Sequence, residues 1–222
     1  MNALLLLLLD SRSPAGAHSH SGGMEAAVTA GCVRDVDDVR AFCRGRLRTS
    51  GRVAAAFAAT ACAGWPSGDW RALHAELDAR MPSEAMRTAS YAMGAGLRRL
   101  LRSMGADVSA LGDPVHHPVV LGAGVAFAGG TPPDAARAAG LATCTGPASA
   151  AIRLLGLDPY AVHGLLAELA PEIETVSSRS CNFLRSEAAE SCTIAELPAD
   201  SAPALDLLAD VHAVQEVRLF AS

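Results

Sequence analysis

Two histidines two positions apart, His18 and His20, stand in the densest cluster of reactive side chains in this 222-residue chain. The cluster is the stretch D-S-R-S-P-A-G-A-H-S-H-S-G-G-M-E from Asp10 to Glu25. Imidazole nitrogen suits nickel and zinc, and Asp10 or Glu25 could add an oxygen ligand. A metal-dependent hydrolase using His18, His20 and Glu25 is the enzymatic reading that such a cluster allows. Histidines at i and i+2 without a third fixed ligand define no closed site, however, and H-E-x-x-H spacing is missing. The alternative is that they donate hydrogen bonds that brace the loop, and no metal site is assigned. No G-x-S-x-G occurs, and Ser21 in H-S-G-G lacks the strand that a nucleophile elbow requires. Lysine is absent, all 18 basic residues being arginine. That removes the P-loop lysine, the lysine nucleophile and the Schiff base. Glu172 and Glu174 fall on different helix faces and do not form a carboxylate pair. Next to Pro118, His116 and His117 mark a helix entrance with a structural role, and His74 and His163 sit inside helical patterns. No catalytic residue and no cofactor is expected.

The elements around these residues read as helices. Half of the chain is hydrophobic but only 4% is aromatic, and isoleucine occurs only at 152, 173 and 194. Alanine, leucine and arginine dominate, which favours helix over strand. The length suits one domain with a sizeable core. The expectation is an all-α, bundle-like single domain over residues 1–222 with about ten helices. It has an N-terminal loop at 10–23, a linker at 191–204, and a last helix and tail at 205–222. Pro14, Gly16, Gly22 and Gly23 make the first loop a shaped one. Asp35 and Ser83 are cap positions, and Thr131-Pro132-Pro133-Asp134 is a strong helix start. Gly51 is expected to break the helix that begins at Asp35, whose outer side carries Arg40, Arg44 and Arg48 as a solvated stripe. Gly94 and Gly96 inside a long helix imply that a neighbouring helix approaches closely. Gly146-Pro147 is expected to kink or divide one helix. Pro171 is expected to start another that runs to Glu190.

Charge and cysteines narrow the class. Net charge is −5, unevenly spread. Residues 1–157 carry fifteen arginines against twelve acids, a net +3, whereas residues 158–216 are at −9. The acidic part disfavours nucleic acid as a partner, and the asymmetry suits either a solvated acidic surface or two faces for different partners. The six cysteines form no C-x-x-C and read as small packed hydrophobes. The leucine run Ala3 to Leu9 is too short to span a bilayer and lacks a basic flank. No membrane association is expected, and a cytoplasmic protein with reduced thiols is.

Read as a pattern, the leucine-rich start followed by D-S-x-x-P-x-G-x-x-x-H-S-G-G-x-E resembles the opening of the F-type urease accessory proteins. His212 followed by Arg218-Leu219-Phe220 and Ser222 is similar to that family's closing pattern. Between them, Arg87-Thr88-Ala89-Ser90 with Gly94 and Leu97, His117-Pro118-Val119-Val120, and Ala151-Ile152-Arg153-Leu154 resemble its central pieces in the family's order. The chain departs from the pattern at Met93, Ala213 and Ala221. The resemblance implies a non-catalytic accessory protein for nickel insertion into urease. Its implied partners are the D/H-type accessory protein, the G-type GTPase and the urease apoprotein, with a homodimer possible. It also implies partner-binding roles for Ser11, Pro14, Gly16, His20, Ser21, Glu25, Arg87, Ser90, Arg153, His212, Arg218, Leu219 and Phe220. Leu219 and Phe220 could dock on the chain's own core or in a partner groove. A helical adaptor unrelated to nickel is the non-enzymatic alternative.

Overall fold

In a computed structural model, residues 2–10, 13, 20–185, 194–215 and 219–220 are described. Among them lie ten α-helices and no β-strand: α1 (Ala3–Leu8), α2 (Met24–Thr29), α3 (Val36–Arg46), α4 (Arg52–Gly64), α5 (Trp70–Ala79), α6 (Glu84–Ser103), α7 (His117–Phe127), α8 (Pro132–Leu155), α9 (Pro159–Ser180) and α10 (Pro203–Ala213). The all-α expectation is met. The helix starts are where the caps put them. The Asp35 carboxylate accepts the Asp38 N–H at 2.9 Å, the Ser83 hydroxyl accepts the Met86 N–H at 3.2 Å, and Thr131 and Asp134 close a capping box. Each satisfies donors that a helix start leaves unpaired.

Helices α4, α7 and α8 form the centre. Five alanines of α4 (55, 56, 58, 59 and 61) are fully buried. A Cβ added to Gly122 of α7 would collide with the Ala58 carbonyl oxygen. Small residues thus let the α4 and α7 backbones pack at a distance that aromatic side chains would forbid, which suits the aromatic-poor composition. A Cβ on Gly94 of α6 would collide with the Val115 carbonyl oxygen just before α7, the close approach expected from that glycine. A second cluster, with Met24, Leu47, Leu165, Leu169 and Phe220, joins α2, α3, α8 and α9.

The expected breaks are corrected at three places. Gly51 does not end a helix: a π-helical turn, Leu47–Gly51, carries α3 into α4 with helical dihedrals throughout. Pro147 lies inside α8 without dividing it, and Pro171 lies inside α9 rather than at a helix start. An interior proline costs one backbone hydrogen bond and crowds the preceding turn. In α9 the buried face Val162, Leu165, Leu169, Ile173, Val176 stays in register across Pro171, so burial outweighs the lost bond. The helix ends at Ser180 rather than Glu190. The last helix starts at Pro203 and stops at Ala213, because proline is favoured at a first helical position. Among the described residues four cysteines are buried, whereas Cys32 is exposed; Cys192 lies outside them.

Candidate functional site

The start of α2 and the C-terminal tail meet on one carboxylate. Gly22 and Gly23 have φ of 59° and 87°, so the S-G-G turn takes a left-handed path that side chains resist. That path points Glu25, in the first turn of α2, inward. Ser21 is fully buried, and its hydroxyl accepts the Glu25 N–H at 3.3 Å. One Glu25 oxygen accepts the Leu219 N–H at 2.7 Å. The other accepts the Phe220 N–H at 2.9 Å and lies 3.1 Å from Nε2 of His212. Glu25 and His212 are 6% and 1% exposed, so this is an internal polar joint. The Phe220 ring fills the second cluster beneath the Arg153 guanidinium, whose central carbon is 4.5 Å from the ring centroid. Leu219 points outward, 69% exposed.

Ser21, Glu25, Arg153, His212, Leu219 and Phe220 are therefore brought together from four separate segments. His20 adjoins the turn, half-buried. Ser11, Pro14, Gly16, His18 and Arg218 lie outside the described residues. Among the described residues no three histidine, cysteine, aspartate or glutamate side chains group as a metal site.

Arg87 and Ser90 sit elsewhere. The Arg87 guanidinium donates to the Met81 and Pro82 carbonyls at 2.6 and 2.8 Å, clamping the α5–α6 connection. Ser90 belongs to a buried network. Its hydroxyl accepts the His117 N–H at 3.3 Å and is 3.0 Å from His116 Nδ1, while His116 Nε2 is 3.1 Å from the Asp78 carboxylate. These partners assign the proton to Nε2. Tyr91 donates to Asp78 at 2.5 Å and stacks on His116 at 4.3 Å. Burial pushes His116 down to about 4 against the pull of Asp78. It pushes Tyr91 up to about 12, with the Asp78 bond adding to it. His117 is also lowered to about 4, by burial and then by His20. Ser90 and His116 are enclosed while the Asp78 side chain is part-exposed, and their geometry holds α5 and α6 to the start of α7.

Sequence reasoning missed Asp78, and it missed Asp210 of α10. The Asp210 carboxylate accepts the Ser83 hydroxyl at 2.6 Å and the Ala85 N–H at 3.2 Å, so α10 caps α6 while it holds Glu25. Nothing local in the sequence signals a cap 127 residues from its helix.

Among the described residues the chain is helical, with the start of α2 and the tail joined at a buried carboxylate. The chain matches the family model described as UreF over residues 33–170, and it belongs to that family. It is 45% identical to the urease accessory protein UreF of Mycobacterium sp. (strain JLS), over 98% of this chain and 97% of the relative. The protein of the same description from Mycobacterium marinum is 44% identical over 99% and 98%. That from Mycobacterium tuberculosis (strain ATCC 25618 / H37Rv) is 39% identical over 99% and 98%.

Proposed function

We propose that this chain is an accessory factor in urease maturation, a non-catalytic adaptor acting in the cytoplasm. It binds the D/H-type accessory protein, and the pair recruits the G-type GTPase so that nickel, as cargo, enters the urease apoprotein. The names and full-length similarity of its relatives support the maturation role. The structural observation that supports adaptor binding is the outer face of α10. Leu207, Val211 and Val214 are 69%, 61% and 82% exposed, one above another at helical spacing, with exposed Leu219 in the tail clasped by Glu25. Contiguous exposed apolar surface marks an interaction site. Asp210, exposed and bonded to the start of α6, flanks it on one side and supplies part of the polar rim expected of such an interface.

Co-purification with the D/H-type protein tests this. Leu207→Asp with Val211→Asp should abolish capture of that partner and urease activation in cells. The melting temperature should stay within the range of a surface change, roughly ±0.5 kcal/mol. Full capture by the double variant would take α10 out of the interface. The chain alone should show no GTP turnover, having no lysine and no phosphate-cradling loop.

A further inference from the structure

Two thiols that neither the clasp nor the adaptor role uses face each other where α3 meets α8, inside the second core cluster. Cys43 and Cys144 are both fully buried. The Cys43 thiol donates to the Cys144 carbonyl at 3.6 Å, and the Cys144 thiol to the Cys43 carbonyl at 3.8 Å. Reciprocal contacts of this kind set the two residues opposite each other, and the two thiols also interact with one another. Packing alone would be served by any pair of small apolar residues.

A charge stands beside the pair. Arg46, at the end of α3, is 8% exposed, and its buried Nε and Nη1 have no hydrogen-bond acceptor among the described residues. A guanidinium stays charged at neutral pH, and this one acts through space on both sulfurs. Arginine beside a thiol favours the thiolate. The bond with Cys43, and then Arg46, pull the Cys144 thiol down against its burial. The bond with Cys144, and then burial, push the Cys43 thiol up. One sulfur is thus the nucleophile and the other its proton-bearing partner. Cys62 shows the contrast: burial pushes it up to about 11, with Asp134 and Cys181 adding to it.

We propose that Cys43 and Cys144 are a redox dithiol that hydrogen peroxide closes into a disulfide tying α3 to α8. The Cys144 thiolate attacks the peroxide, so that an S–O bond forms as the O–O bond breaks. The hydroxide released takes up the proton that the Cys144 thiol gave and leaves as water. The Cys43 sulfur then attacks the Cys144 sulfur, the S–S bond forms as the S–O bond breaks, and the second hydroxide leaves as water with the Cys43 proton. Two thiols are oxidised and one peroxide is reduced to two waters. Both sulfurs are enclosed, so the oxidant reaches them through local opening. In the cytoplasm proposed above thiols are held reduced, which makes the disulfide a response to oxidant. It closes a loop of 101 residues and so restrains the unfolded chain. It also locks the floor under the S-G-G turn, since a Cβ on Gly22 would lie 3.2 Å from Pro147 of α8 and 3.4 Å from Nη2 of Arg46.

The test treats the folded full chain with excess hydrogen peroxide, removes the peroxide with catalase, then unfolds the chain and alkylates it with iodoacetamide. Mass spectrometry should find Cys43 and Cys144 protected from alkylation and joined in one cross-linked peptide that dithiothreitol separates. The melting temperature of the oxidised chain should rise by about 5 °C or more, and Cys43→Ala should abolish the rise. In that variant the Cys144 sulfenic acid has no partner, so dimedone should trap it. Arg46→Met keeps the bulk without the charge and should slow disulfide formation about tenfold. These variants alter the core, so the peptide map of the unsubstituted chain decides the bond by itself. Full alkylation of both residues after peroxide, a link that forms only in urea, or a different cysteine pair in its place would overturn the proposal. A lowered melting temperature of the linked chain would overturn it equally, and an unchanged rate in Arg46→Met would overturn the part given to Arg46.

Discussion

Glu25 shows how much can rest on one side chain. Its carboxylate receives two backbone N–H groups from the tail and sits against His212. Hydrogen bonds to a charged acceptor contribute about 1.5–3 kcal/mol each, offset in part by the desolvation of a buried ion. Glu25→Gln keeps the volume but turns an amide NH₂ toward a backbone donor. We expect a loss of about 2 kcal/mol in urea unfolding, with faster amide exchange at Leu219 and Phe220. An unchanged urea midpoint would show that the clasp contributes nothing. His116 sets a pH dependence. It ionises at about 4 in the fold against 6.5 when free, so the unfolded chain takes up a proton first as pH falls. Stability is then intact above pH 6.5 and is lost progressively toward pH 4, by up to about 3 kcal/mol. His117 and His74 are lowered in the same direction. Melting temperatures from pH 7.5 to 4.5 should fall on this course, and His116→Gln should flatten it.

Among elements, glycines within helices divide by what surrounds them. Gly94 lies where α6 meets the residues that lead into α7, and a methyl there would collide with backbone. Gly94→Ala should destabilise by about 3 kcal/mol or more, because overpacking outweighs a propensity gain of about 1 kcal/mol. Gly146 in α8 has nothing near its missing Cβ. Gly146→Ala should be neutral or stabilise by up to about 1 kcal/mol. The same chemical change is thus predicted with opposite signs, and chemical denaturation of the two variants decides it. The arginine stripe on α3 also finds its place between elements. Arg40 reaches Glu168 and Arg44 reaches Glu172 on α9 at 3.1 and 3.0 Å. Such exposed pairs contribute little to stability, but they fix which face of α9 meets α3.

At the scale of the whole molecule, part of the charge asymmetry along the sequence is folded against itself. Glu168, Glu172 and Glu174 from the acidic part meet Arg40, Arg44, Arg48 and Arg137 from the basic one. The chain ends are equally interlocked, since the S-G-G turn, α2, α10 and the tail share Glu25 and the core around Phe220. Phe220→Ala should cost about 2 kcal/mol for the lost burial. By freeing the tail it should also weaken capture of the D/H-type protein. That separates it from the α10 surface pair, which should lose capture with stability intact. Loss of stability with full capture would make the tail internal packing only.

The sequence by itself determined what depends on near neighbours. The helical class, the caps at Asp35, Ser83 and Thr131, and the close approach at Gly94 all follow from residue types and short spacings. The family resemblance also marked Glu25, His212 and Phe220, without saying why they belong together. Only the tertiary structure decided that they form one joint, because the contact of Glu25 with Leu219 spans 194 residues and no local pattern encodes it. The same holds for the Pro147 and Pro171 helices, where distant packing overrode a local breaking tendency. It holds for Asp210 as a remote cap as well. No sequence pattern singles out Arg46. Its enclosure, with two nitrogens that find no acceptor among the described residues, exists only in the folded chain.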